Sequence, residues 1–235
     1  MEIKVWSGTD VGLRRERNED SFLVDEGLGL YILADGMGGH RGGEVASLMA
    51  VNTIREVVMK EVSNSRRISP RAVLVDAYQE ASHRIFDKSH KSGNSELQGM
   101  GTTLVTAFYH GGVLYIANVG DSRAYLFSKP YLWQITEDHS LVNEQIRAGM
   151  ITEKDVPIFA AKNVITRSVG FERDVTCDVI ERHLKAGEMV LVCSDGLSGL
   201  VTDAKIAEIF MTSPHEEIVT KCIDAAKKNG GDDNV

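Results

Sequence analysis

Leu30-Tyr31-Ile32-Leu33-Ala34 runs without a polar residue into Asp35-Gly36-Met37-Gly38-Gly39-His40. This abrupt change from apolar strand to carboxylate and glycine constrains the fold more than any other stretch. A short apolar run bounded by glycine reads as a strand, here one buried on both faces, ending in a tight loop. An ionisable Asp at the tip of a buried strand needs a partner for its charge. Gly36, with no Cβ, lets the backbone approach whatever Asp35 holds. The construction recurs: Met189-Val190-Leu191-Val192-Cys193-Ser194 runs into Asp195-Gly196, and Leu114-Tyr115-Ile116-Ala117-Asn118-Val119 into Gly120-Asp121. Near the chain end Gly230-Gly231 precedes Asp232-Asp233. Apolar strands that each deliver one carboxylate to a glycine-softened end can build an all-oxygen site for hard divalent cations. Carboxylates brought together repel and stay ionised only with cations between them. Independent Asp-Gly turns are the alternative, and repetition is what argues against them.

The chain length of 235 residues fits one domain, residues 1–235, with a core large enough to fold unaided. A formal charge of −8 argues against a nucleic-acid partner and against a polybasic membrane anchor. No apolar run approaches the ~20 residues of a membrane span, and the first ten residues lack the apolar core of a signal peptide. Cys177, Cys193 and Cys222 are odd in number and have no CxxC spacing. They read as reduced thiols, so a cytoplasmic monomer is expected.

In chain order, Ile3–Thr9 reads as a first strand, followed by a dense charged loop through Asp20. Ser21–Asp25 and Leu28–Ala34 read as a hairpin. Two amphipathic helices follow, one opening at Gly42-Gly43 and running to about Val62, the other starting at Ser69-Pro70 with Val73, Ala77, Ala81 and Ile85 on its buried side. Ser89–Gly99 reads as a loop. Thr102–Tyr109, Val113–Val119, Arg123–Phe127 and Leu132–Thr136 form an antiparallel meander. A short amphipathic helix runs from Leu141 to Met150, the pattern weakens from Ile151 to Asn163, and residues 140–163 read as either a flap or a plain surface connection. Val164–Ser168, Asp178–His183 and Met189–Ser194 read as strands, and Ala204–Met211 and Glu216–Lys228 as closing helices. Helix pairs on either side of two facing antiparallel sheets make an α+β fold, a four-layer α/β/β/α sandwich.

Taken together, Arg15-Glu16-Arg17-Asn18-Glu19-Asp20, Asp35-Gly36-Met37-Gly38-Gly39-His40, Gly101-Thr102-Thr103, Val119-Gly120-Asp121-Ser122-Arg123, Asp138-His139-Ser140, Cys193-Ser194-Asp195-Gly196-Leu197 and Gly230-Gly231-Asp232-Asp233-Asn234 resemble the metal-dependent protein serine/threonine phosphatases. The resemblance is to the type-2C or PPM class in its compact bacterial form. It implies the same sandwich and a site with two Mn²⁺ or Mg²⁺ ions. Asp35 would bridge both, Gly36 would offer its carbonyl to one, and Asp195 and Asp233 would bind the other. Asp20 would hold a metal's water, and Asp121 with Asp195 would support a third, weaker ion. Arg15 would clamp the phosphate, its planar fork matching two phosphoryl oxygens. The pair of cations would lower the pKa of a water that attacks phosphorus, with no covalent intermediate. The substrates implied are phosphorylated proteins, opposing a Ser/Thr kinase.

Two departures stand out. Eukaryotic relatives carry a general-acid His directly after the Asp-Gly, where this chain has Met37. His40 is a substitute weighed against a structural role, and His139 is equally open. The family also continues past the position of Val235 into one more core strand, which this sequence is expected to lack. The rival readings are a catalytically inactive binding module and a small-molecule phosphoesterase. The intact carboxylate set and Arg15 argue against the first.

Overall fold

The computed structural model describes residues 3–38, 41–65, 67–152, 155 and 164–235. Strand β1 (Asp20–Asp25) pairs antiparallel with β2 (Leu30–Met37), in a register that sets Asp20 opposite Asp35. The run through Ala34 is not buried on both faces: Leu30, Ile32 and Ala34 are buried while Tyr31 and Leu33 are only partly so. That alternation is the two-residue period of a strand with one face on a helical layer.

Strand β2 continues into a sheet with β3 (Gly101–Thr102), β4 (Leu104–His110), β5 (Val113–Val119) and β8 (Asp178–Arg182). The order is β1-β2-β4-β5-β8, with β3 pairing the end of β2, and every pair is antiparallel. The second sheet has the order β7 (Tyr131–Gln134), β6 (Arg123–Ser128), β9 (Met189–Cys193), also antiparallel.

Helices α1 (Gly42–Asn64) and α2 (Pro70–Lys91) cover the first sheet. Val73, Ala77, Ala81 and Ile85 of α2 are buried, as the helical spacing predicts, and pack with Leu30, Ile32, Leu104 and Phe108. Tyr78 of α2 is fully buried, and its hydroxyl lies 2.9 Å from the Ala117 carbonyl and 3.1 Å from that of Leu104. Val105, Ala107, Leu114 and Ile116 point the other way and meet Ala124, Val190 and Val192 between the sheets. Beyond the second sheet, Tyr125, Phe127 and Cys193 pack under Ile206 and Phe210 of α4 (Asp203–Thr212) and Cys222 of α5 (Ile218–Lys228). The four layers are therefore helices, sheet, sheet, helices.

Three further expectations are corrected. Residues 3–9 form no strand; residues 3–8 line an apolar cleft of about 470 Å³ that β9 also lines. At its mouth Asp10 and Val235 exchange both backbone hydrogen bonds, 2.8 and 3.0 Å. Residues 164–168 form no strand either, only an isolated bridge from Ile165 to Ser140. And α2 runs on through Ser89, because that hydroxyl is satisfied by the Leu97 carbonyl at 2.9 Å and is buried. Of the expected flap, helix α3 (Leu141–Arg147) forms; residues 153, 154 and 156–163 lie outside the described residues. Among the described residues no helix is long and apolar enough to cross a membrane.

Candidate metal centre

The ends of β1, β2, β5 and β9 bring the expected carboxylates to one place. Asp35 is held by its backbone: its N–H donates to Thr103 Oγ1 (3.1 Å), while its carbonyl accepts from the Thr103 N–H (2.9 Å) and from Thr102 Oγ1 (2.8 Å). Asp20 stands opposite Asp35 in the strand register, and the carboxyls of Asp20, Asp195, Asp233 and Asp121 are near enough to act on its charge. Burial, and then the neighbouring carboxylates led by Asp20, push Asp35 well above the usual carboxylate range. Burial likewise pushes Asp20 up to about 7, opposed by the Ser194 hydroxyl, which donates to Asp20 Oδ2 at 2.9 Å. Asp121 rises to about 7 through burial and then Asp195, and Asp195 is raised by burial and Asp233.

Asp233 reaches this cluster from the other end of the chain because Asn234 stitches it there. The Asn234 amide donates to the carbonyls of Val11 and Arg17, both at 2.9 Å, and its Oδ1 accepts from the Glu19 N–H at 2.8 Å. The same stitching sets Asp233 Oδ2 2.7 Å from Arg15 Nη2, while Asp233 Oδ1 accepts the Asn234 N–H at 2.9 Å. Both Asp233 oxygens are thus engaged by protein donors. Among the described residues no three carboxylates stand around one point as a finished ligand set.

The residues nevertheless fit hard cations. Asp20 Oδ1 and Asp121 Oδ1 are buried with no hydrogen-bond partner, a costly state for a carboxylate oxygen unless something positive meets it. The donor set is all oxygen, and like charges in contact require protons or cations between them.

Gly36 has a further necessity beside the one its sequence suggests. A Cβ there would collide with the carbonyl oxygens of Gly43 and Glu19, so glycine is required where the start of α1 closes on β1 and β2. His40 lies outside the described residues. His139 is not free to serve as an acid: its Nδ1 accepts the Gly120 N–H at 3.0 Å and its Nε2 lies 3.1 Å from Asp178 Oδ2. Ser194 and Thr103 are neighbours of these carboxylates to which motif reading alone gave no role, since each meets a partner distant in sequence.

Residues 13–233 match the family model described as Protein phosphatase 2C. A serine/threonine phosphatase, stp, of Listeria innocua is 37% identical over 231 residues, covering 97% of this chain and 91% of that one. Protein phosphatase PhpP of Streptococcus pneumoniae is 34% identical over 245 residues, covering 100% and 95%. The Mycobacterium tuberculosis serine/threonine phosphatase PstP/Ppp superposes with a TM-score of 0.86 at 32% identity, covering 97% and 93%. A structure of the PstP catalytic domain in complex with two manganese ions gives 0.84 at 32% identity, covering 97% and 92%. With matches of this extent in both sequence and fold, the chain belongs to the protein phosphatase 2C family of metal-dependent protein serine/threonine phosphatases.

Proposed function

We propose that Asp35 is the central ligand of a pair of Mn²⁺ or Mg²⁺ ions, with Gly36, Asp195 and Asp233 completing the set. Asp20 holds a water of the pair, and Asp121 with Asp195 serves a third, weaker ion. The observation that carries this reading is the pair of buried carboxylate oxygens without hydrogen-bond partners, Asp20 Oδ1 and Asp121 Oδ1, with Asp20 directly opposite Asp35 in the β1–β2 register. When bound, such ions supply a nucleophilic water near neutral pH and stabilise charge on the phosphoryl group.

The remaining work falls to the chain itself. Arg15 binds the phosphate of a phosphoserine or phosphothreonine side chain, its fork engaging two oxygens and countering the charge that grows as the ester breaks. Thr103 and Thr102 fix the Asp35 backbone, and Ser194 orients Asp20. His40 is retained as the candidate donor to the leaving serine or threonine oxygen. Residues 1–235 act as one catalytic domain, whose flap is assigned to about residues 140–163; of these, 153, 154 and 156–163 lie outside the described residues. Its substrates are phosphoproteins, and it opposes a Ser/Thr kinase as a cytoplasmic monomer; the three free cysteines suit a reducing compartment.

The test is hydrolysis of a phosphothreonine peptide and of p-nitrophenyl phosphate across Mn²⁺ and Mg²⁺. Turnover of both that vanishes with chelator and in Asp35→Asn supports the reading. No turnover by the wild type with either metal favours an inactive binding module. Turnover of small esters without turnover of phosphopeptides favours a small-molecule phosphoesterase.

A further inference from the structure

His139 is buried, 7% exposed, at the point where the turn carrying Asp121 meets the segment that follows β7. It holds Gly120 by both backbone polar groups: the Gly120 N–H donates to His139 Nδ1 at 3.0 Å, and the His139 N–H donates to the Gly120 carbonyl at 2.9 Å. A backbone N–H can only donate, so Nδ1 carries a lone pair and the neutral ring has its proton on Nε2. That proton faces Asp178 Oδ2 at 3.1 Å. Arg167 Nη1, 3.1 Å from Nε2, satisfies itself on the Thr176 carbonyl at 3.0 Å and on Asp178 Oδ1 at 3.3 Å. Asp178 therefore fixes the tautomer, and Arg167 fixes Asp178.

Gly120 is a node of the centre. Its φ is +103°, and a Cβ there would lie 2.6 Å from Thr103 Cβ. Thr103 is the residue that accepts the Asp35 N–H, and its hydroxyl also bonds Ser122 Oγ at 2.7 Å. On the other side, the His139 carbonyl accepts the Thr166 N–H at 2.9 Å, and the Leu141 N–H reaches the Val164 carbonyl at 2.9 Å. The ring thus links Asp121, whose Oδ1 has no partner, to the paired stem at residues 139–141 and 164–166.

We propose that His139 is a positioning residue which, as the Nε2–H tautomer held by Asp178, sets the Gly120–Asp121 turn in the geometry that lets Asp121 take a cation. The inference rests on the reading of Asp121 as part of the metal centre. Residues hydrogen-bonded around a metal's ligands commonly act in this way, orienting the ligand without touching the ion.

Long-range ¹H–¹⁵N correlation spectra of the histidine-labelled protein read the tautomer. Unprotonated Nδ1 on His139 is expected, and a protonated Nδ1 overturns the proposal. Mn²⁺ binding is then counted from the EPR signal of the free ion in wild type, His139→Phe and His139→Asn. Asn can present an oxygen near the position of Nδ1, whereas Phe cannot. The weakest site is expected to lose roughly tenfold in affinity in His139→Phe and to recover most of it in His139→Asn. Equal binding by His139→Phe and wild type, or equal loss in both variants, overturns the proposal. Should His139→Phe not fold, Asp178→Ala against Asp178→Asn replaces it, since only Asn keeps an acceptor for Nε2–H. A loss in Ala alone supports the proposal, and wild-type binding in both overturns it. Absence of Mn²⁺ binding by the wild type itself contradicts the reading of the centre instead.

Discussion

Arg15 Nη2 lies 2.7 Å from Asp233 Oδ2, joining the candidate phosphate clamp to a candidate metal ligand. The two side chains are 48% and 35% exposed, and an ion pair that open to solvent contributes only about 0–1 kcal/mol. The pairing raises the Arg15 pKa further, chiefly through the hydrogen bond to Asp233. The guanidinium therefore stays charged, and it can leave Asp233 for a phosphate at little cost. Arg15→Ala is expected to lower kcat/KM for a phosphopeptide by about 10²–10³. Arg15→Lys is expected to restore only part of this, because it keeps the charge and loses the fork. Steady-state kinetics check both; a fully active Arg15→Lys contradicts the bidentate role.

The raised carboxylates make a signed prediction about stability. Asp20 and Asp121 sit near 7, against 3.8 for a free Asp, and Asp35 and Asp195 are shifted the same way. The unfolded chain releases these protons first. The groups thus oppose folding least below the unfolded value, and stability is lost as pH rises from about 4 through about 7. In chelator near pH 8, Asp35→Asn is expected to melt above the wild type, whereas Mn²⁺ raises the melting temperature of the wild type and not of Asp35→Asn. Differential scanning fluorimetry reads both. A less stable Asp35→Asn under chelator contradicts the account of crowded charge.

Ser194 gives a narrower test. Its hydroxyl is the donor to Asp20 Oδ2, and that bond holds the Asp20 pKa down against burial. Ser194→Ala is expected to raise the Mn²⁺ concentration needed for half-maximal activity and to move the acid limb of the kcat/KM profile to higher pH. Superimposable profiles for the two proteins would argue that the bond is incidental.

Tyr78 tests the support beneath the site. Its buried hydroxyl meets the carbonyls of Leu104 and Ala117 and the Thr106 hydroxyl. Tyr78→Phe leaves those acceptors without their donor at a cost of about 1–3 kcal/mol. For a chain of this size each kcal/mol corresponds to about 2–4 °C of melting temperature. A melting temperature unchanged by the substitution contradicts a bridging role for the hydroxyl.

The site was legible where chemistry is local. A carboxylate at the end of an apolar run identifies itself, and so Asp35, Asp121 and Asp195 could be named, as could the helices that carry Ala46 and Ala77 inward. Residues 3–9 have a strand-like pattern but no ladder partner within the described residues, and a pattern cannot supply one. Residues 164–168 are apolar enough for a strand, yet they hold only the Ser140–Ile165 bridge. At Gly36 the sequence suggests a close backbone approach but not its second constraint, since the Gly43 and Glu19 carbonyls that exclude a Cβ come from other segments. The parts of the site that escaped sequence reading, Ser194 on Asp20 and His139 on Gly120, are hydrogen bonds between segments that only the folded chain brings together.

Anomalous diffraction at the manganese edge from crystals soaked in Mn²⁺ tests the central claim most directly. The account predicts ions within ligand distance of the Asp35 carboxylate and shared with Asp195 and Asp233, and their loss in Asp35→Asn. Manganese bound elsewhere, with Asp35 untouched, would contradict it.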